Sequence, residues 1–319
     1  MIRVANAPCS WGALEFEAAE QPAPASQVLD EMAAAGYAGT ELGDWGFLPT
    51  APAALAADVR TRNLALVGAF VPVALARADA LEDGVARAVR TARLLAQASQ
   101  VGQVGRVGQV GQVGQVGQVG SDPVLVLSDD NASVPNRTAR AGRIRDHDGL
   151  TPAEWDAFAR RAERVAADVR DATGLRTVFH HHCAGYVETP REIDALLSRT
   201  DPALLGLCLD TGHLMFAGGD PLDALARHGA RIWHVHFKDC DPQLAAQSRV
   251  EGWDYHTSVR RGIFCELGRG MVPFTGVLEA LRAWTYSGWI VVEQDVLPGL
   301  GTPAASAARN RAYLRDLGI

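Results

Sequence analysis

The chain has 319 residues, 48% of them hydrophobic and 21% charged, enough apolar material for a large buried core. Its formal net charge of −7 excludes a basic face for nucleic acid or anionic membrane. The absence of any run of eighteen apolar residues excludes a spanning helix.

From the first residues, short β-branched runs alternate with longer helical patterns, the rhythm of βα units around a parallel sheet. Met1-Ile2-Arg3-Val4-Ala5 enters a strand at once and lacks the layout of a signal peptide, so a cytoplasmic location is expected. The expected strands are Arg3–Pro8, Gly39–Leu42, Ala65–Val71, Val124–Leu127, Arg176–His180, Leu204–Asp210, Arg231–His236 and Trp289–Glu293. Eight such strands fit a closed (β/α)8 TIM barrel, and at this length one domain over residues 1–319 is expected.

The intervening helices carry start signals. Thr151-Pro152-Ala153-Glu154 supplies an N-cap, a proline at the first helical position and a capping-box glutamate. Trp155, Phe158, Ala162, Val165 and Val169 follow as one apolar stripe, and Gly174 is placed to end that helix in a left-handed cap. Thr189-Pro190, Asp220-Pro221 and Thr302-Pro303 repeat the start signal. Residues 101–120 break the rhythm: the dipeptide Val-Gly occurs seven times at a period of three, spaced by Gln or Arg. Glycine at every third position costs a helix about 1 kcal/mol each relative to alanine, so an extended or disordered loop without catalytic role is expected. The cysteines at 9, 183, 208, 240 and 265 form no C-x-x-C pair and are expected to be reduced and mostly buried.

Barrel active sites are built at the C-terminal ends of the strands. Strand five ends in His180-His181-His182, strand six in Asp210-Thr211-Gly212-His213, strand seven in His234-Val235-His236-Phe237-Lys238-Asp239 and strand eight in Glu293-Gln294-Asp295. Such mixed nitrogen and oxygen donors suit one divalent Mn, Co, Zn or Fe ion better than Ca²⁺. Strand alternation turns His180 and His182 to one side and His181 to the helical layer; His234 and His236 share a face, with His234 packed or supporting. Glu293 follows the buried run Ile290-Val291-Val292, where an unpaired charge would be costly.

These motifs resemble the xylose-isomerase-like TIM-barrel superfamily of sugar phosphate isomerases and epimerases, most closely its inosose dehydratase group. The resemblance rests on Ala7-Pro8-Cys9-Ser10-Trp11-Gly12, Gly36 to Gly43, His180-His181-His182 through Val187-Glu188-Thr189, Leu209 to His213, and His236-Phe237-Lys238-Asp239. Ser258 to Phe264 and Leu267 to Gly270 match the loop before the seventh helix of that group, and all but the Val-Gly insert is covered. Carried over position by position, the resemblance implies His180, Asp210, His236 and Glu293 as metal ligands. A glutamate is more usual at the first position, but histidine runs there are typical of inosose dehydratases. A second departure is Glu266-Leu267-Gly268-Arg269-Gly270, in place of a proline-glycine-acid-glycine sequence.

The implied chemistry is removal of a proton beside the carbonyl of a keto-polyol, with His182, His213 or Glu293 as base or acid. Trp11, Glu41, Lys238 and Glu266 are the expected substrate-binding residues. Loss of a β-hydroxyl makes the enzyme a keto-inositol dehydratase; return of the proton elsewhere makes it a ketose isomerase or epimerase. A three-zinc DNA-repair endonuclease of the same superfamily conflicts with the acidic charge, and a non-catalytic sugar-binding barrel conflicts with a full ligand set. The expected partner is a small sugar or polyol, with no nucleic acid and no membrane, and a homo-oligomer is compatible with the sequence.

Overall fold

The computed structural model describes residues 1–12, 23–103, 122–295 and 301–319. Strands β1 (Arg3–Asn6), β2 (Gly39–Glu41), β3 (Ala65–Pro72), β4 (Val124–Ser128), β5 (Thr177–His180), β6 (Leu205–Asp210) and β7 (Ile232–Phe237) run parallel, and β10 (Trp289–Val292) closes the ring between β7 and β1. The result is a (β/α)8 barrel whose eight strands begin within a few residues of the positions expected from the sequence. β1 is shorter than expected because Pro8–Trp11 turns into a 3-10 helix.

Alternation along each strand sorts side chains into two layers. Outward-facing Leu125, Leu127, Phe179, Leu207, Leu209, Val235, Phe237, Ile290 and Val292 join the large core between sheet and helices. Inside, two small clusters fill the barrel: Ala5, Ala7, Val67, Trp289 and Val291 on one side, and Val124, Val126, Val178 and Cys208 on the other. Above this apolar plug the inward positions become His180, Asp210, His236 and Glu293. The plug makes the barrel a packed core with a polar mouth.

The outer layer is formed by α1 (Ala25–Ala35), α2 (Pro52–Arg60), α3 (Leu81–Gln103), α5 (Pro152–Thr173), α6 (Pro190–Leu197), α8 (Pro221–His228), α11 (Phe274–Ala283) and α12 (Pro303–Asp316). Capping boxes at Thr151 and Thr189 and N-caps at Asp220 and Thr302 are all formed, and Gly174 ends α5 with φ 75°. The short helices α4 (Pro135–Ala139) and α7 (Thr211–Phe216) sit at strand ends.

The Val-Gly repeat departs from expectation at its start, because Val101–Gln103 belong to the last turn of α3. Extending an established helix adds a hydrogen bond per residue without a new nucleation cost, so glycine is tolerated there. The remainder of the repeat lies outside the described residues.

Between β7 and α11 the chain makes an excursion: β8 (Asp239–Cys240), α9 (Pro242–Glu251), α10 (Tyr255–Arg260) and β9 (Phe264–Cys265), with β8 and β9 antiparallel. The segment from Ser258, expected as a loop, is helical at its start because Asp254 caps α10 by accepting from the Thr257 amide at 2.7 Å. Asp239 secures the excursion: its carboxylate accepts from the amides of Cys240, Gly268, Gly270 and Val272 at 2.8–3.1 Å. A Cβ on Gly270 would collide with that carboxylate, so the turn requires glycine.

Candidate metal centre and active site

His180 ends β5, Asp210 ends β6, His236 lies on β7 and Glu293 follows β10. One ligand atom from each lies within 4.8 Å of every other, and all but Glu293 are fully buried. The Nε2 of His180 is 3.6 Å from Asp210 Oδ2, and His236 Nδ1 is 3.1 Å from Glu293 Oε1. Neither Asp210 Oδ2 nor His236 Nδ1 has a hydrogen-bond partner, despite the short approach of His236 to Glu293. Two imidazoles and two carboxylates converging with unsatisfied lone pairs are a donor set that fits a borderline divalent cation.

Local structure holds these four groups in place. Asp210 caps α7, its Oδ1 accepting from the His213 amide at 2.8 Å, which leaves Oδ2 for the centre. His181, on the opposite face of β5, accepts the Asp210 amide at its Nε2 (3.1 Å). Glu41 and His234 lie against His236: Glu41 Oε1 is 2.8 Å from His234 Nε2 and 3.1 Å from His236 Nε2. Gly68 makes room, since a Cβ there would stand 3.2 Å from the same Glu41 oxygen.

Burial and charge oppose each other in this cluster. For Glu41, burial pushes the carboxyl pKa up, but the His236 and His234 imidazoles override it and hold it at about 2. Burial likewise works against ionised Asp210 and Glu293; His180 and Lys238 lower the former, and His236 and Lys238 hold the latter well below the usual range. For His236, burial is outweighed by Cys208, Glu293 and Glu41, so its pKa lies well above that of free imidazole. Burial lowers His180 and His213, the latter strongly.

A cavity opens above the cluster, with Glu41, Asp44, Phe70, His180, His182 and Glu293 among its walls. The ring of Phe70 meets His180 edge-on at 5.8 Å. A surface cleft of about 410 Å³ between α2 and α3, walled by Trp45, Arg90 and Arg93, is roomier. None of the ligating groups found among the described residues lies there, so its size carries no chemistry.

The other expected site residues divide. His182 faces the cavity; Lys238 is buried beside Glu293 (Nζ to Oε2 3.4 Å), facing His213 Nε2 at 3.5 Å. His213 lies behind His182, ring centroids 3.8 Å apart and planes tilted by 40°, and does not reach the cavity wall. Trp11 lies elsewhere: its indole belongs to the core outside the barrel and donates to Glu31 Oε2 at 2.6 Å, at the end of the 3-10 turn after β1. Glu266 is engaged by Arg309 (Nε to Oε2 2.9 Å) and Ser306 of α12 and is not among the walls of the cavity.

Three contributors were not expected. Phe70 is one apolar residue in an apolar strand, Cys208 lies on the inward face of β6 beneath Asp210, and Tyr255 of α10 sets its hydroxyl 3.4 Å from His182 Nε2. Inward parity counted back from Asp210 would have marked Cys208; Phe70 lies past a register shift between β2 and β3 that breaks the alternation, and no local pattern marks it or Tyr255.

Residues 29–317 match the family model described as xylose isomerase-like TIM barrel. An inosose dehydratase of Lacticaseibacillus casei is 29% identical over 313 residues, 98% of this chain and 96% of that protein. One from Geobacillus kaustophilus (strain HTA426) is 30% identical over 316 residues, 99% and 94%. Among solved structures, the IOLI protein with a bound zinc atom superposes with a TM-score of 0.67 at 13% identity, over 99% of this chain and 97% of that one.

Proposed function

Because this chain belongs to the xylose isomerase-like TIM-barrel family, we propose that it is a metal-dependent hydro-lyase that removes water from an inosose, a keto-inositol. The observation that supports this most directly is the convergence of His180, Asp210, His236 and Glu293 beneath a cavity walled by His182. Its curated relatives of nearly equal length, named inosose dehydratase, supply the substrate class.

His180, Asp210, His236 and Glu293 would hold the cation, which supplies Lewis-acid polarisation of a substrate carbonyl and stabilises the charge that develops there. His182 is the group best placed to move a proton. Its Nδ1 lies 2.6 Å from the Cys183 carbonyl and so carries the hydrogen, leaving Nε2 as a base. In the proposed reaction Nε2 takes the proton on the carbon next to the carbonyl. The β-carbon–oxygen bond then breaks, and the hydroxyl leaves as water when a proton is returned to it. A carbon–carbon double bond conjugated with the carbonyl remains. Lys238 steadies Glu293, and His213 backs the His182 ring.

The test is incubation of the metal-loaded protein with scyllo-inosose, and separately with a panel of ketoses, in D₂O. Water loss from the inosose, with one ion per chain, is expected. Deuterium exchange and interconversion of ketoses without elimination would replace the dehydratase by an isomerase or epimerase. Three ions per chain would favour the nuclease branch, and none would leave a binding barrel.

A further inference from the structure

Glu41 stands on β2, at the far side of the closing seam from His234 and His236 on β7, yet one of its oxygens meets both imidazoles. The separation in the chain is 193 residues to His234 and 195 to His236, so the barrel itself creates the contact. All three side chains are buried, at 2%, 2% and 0% exposure. A carboxylate flanked by two imidazole nitrogens accepts a hydrogen bond from each. The Nε2 of His236 is thereby committed to a proton, and its other nitrogen, Nδ1, is the one that faces Glu293.

We infer that Glu41 is a positioning residue, anchored from below by His234, that fixes His236 as the Nε2–H tautomer and presents Nδ1 to the cation. This rests on the metal-dependence in the proposed function. The arrangement is a carboxylate–histidine–metal relay in which the depth of the barrel orients a ligand at its mouth. The same three residues could in principle hold an ion of their own. The hydrogen-bond spacings of 2.8 and 3.1 Å to a single carboxylate oxygen are fully accounted for by two N–H donors, which argues for protons there. Gly68 fits the same reading, because a Cβ there would crowd that oxygen at 3.2 Å.

The experiment uses the full chain labelled with ¹⁵N-histidine and loaded with Zn²⁺, alongside Glu41→Gln, with zinc affinity measured by chelator competition. In the loaded wild type, His236 should keep its proton on Nε2 and show a metal-shifted Nδ1. Glu41→Gln should bind zinc roughly 10–100-fold more weakly. Wild-type affinity in a folded Glu41→Gln, zinc on Nε2 of His236, or a second ion per chain that Glu41→Gln loses would each overturn the inference. If the variant does not fold, the wild-type nitrogen spectrum decides alone. A wild type that binds no zinc overturns both this inference and the functional reading. One that binds zinc through Nδ1 but does not dehydrate an inosose removes only the latter.

Discussion

The Nδ1 of His182 lies 2.6 Å from the carbonyl oxygen of Cys183, the next residue in the chain. That contact sets which ring nitrogen carries hydrogen, and it leaves Nε2 facing the buried Tyr255 hydroxyl at 3.4 Å. Replacing His182 by Asn should lower kcat for inosose dehydration by about 10²–10⁴-fold while zinc affinity stays unchanged. Steady-state kinetics with chelator competition checks this; loss of zinc binding in step with kcat would make His182 a ligand rather than a base.

Cation binding should stabilise the fold. A ligand that binds only the native state adds about 2.7 kcal/mol at a hundredfold excess over its Kd. Wild-type protein stripped by chelator should therefore melt lower than loaded protein. Asp210→Asn, which keeps the shape of the α7 cap but weakens the donor, should show a smaller zinc-dependent rise in Tm. An equal rise would place the bound cation elsewhere.

The loop bearing His182 is clamped from outside by a buried ion pair. Arg137 of α4 grips Glu192 of α6 through two hydrogen bonds of 2.8 and 2.9 Å and donates to the Gly185 carbonyl at 2.7 Å. Arg137→Met leaves Glu192 buried without its partner and should cost about 3–5 kcal/mol. Urea unfolding measures this, and a second change, Glu192→Leu, should recover part of the loss. A single-variant cost below about 1 kcal/mol would mean the pair is not shielded from water.

Asp148 gives the acid limb of stability its sign. Burial raises its carboxyl, but Asn136, the Arg145 amide and Arg140 together hold it at about 2, below its ordinary 3.8. A carboxylate depressed in the folded state contributes stability above its unfolded pKa and loses it as pH falls through the folded one. Wild type should thus weaken between pH 4 and pH 2 more steeply than Asp148→Asn. Parallel curves from chemical unfolding at each pH would refute this.

The barrel was legible because β-branched runs and capped helices alternate from β1 to α12, and each strand places its inward residues by parity. The set His180, Asp210, His236 and Glu293 comes from the family resemblance carried over position by position, onto strand ends that the βα rhythm already marks. That rhythm could not find Tyr255, which arrives on a helix of the β7–α11 excursion, nor the true neighbours of Glu41, which the chain meets only after the ring closes. The contacts of Trp11 and Glu266 were out of reach for a similar reason. Glu31 and Arg309, which hold them, belong to other elements, α1 and α12, that nothing in their own stretches announces.

The Asp239 carboxylate has a consequence for how this scaffold can diversify. Four amides gathered on one side chain fasten the excursion to the edge of β7. The segment that brings Tyr255 against His182 is also held by Arg143 on the Trp253 carbonyl at 2.7 Å and by Arg249 on the Phe216 carbonyl at 2.8 Å. Changes in its length or sequence must preserve these anchors as well as the four amides, while the strands bearing His180, Asp210, His236 and Glu293 stay as they are.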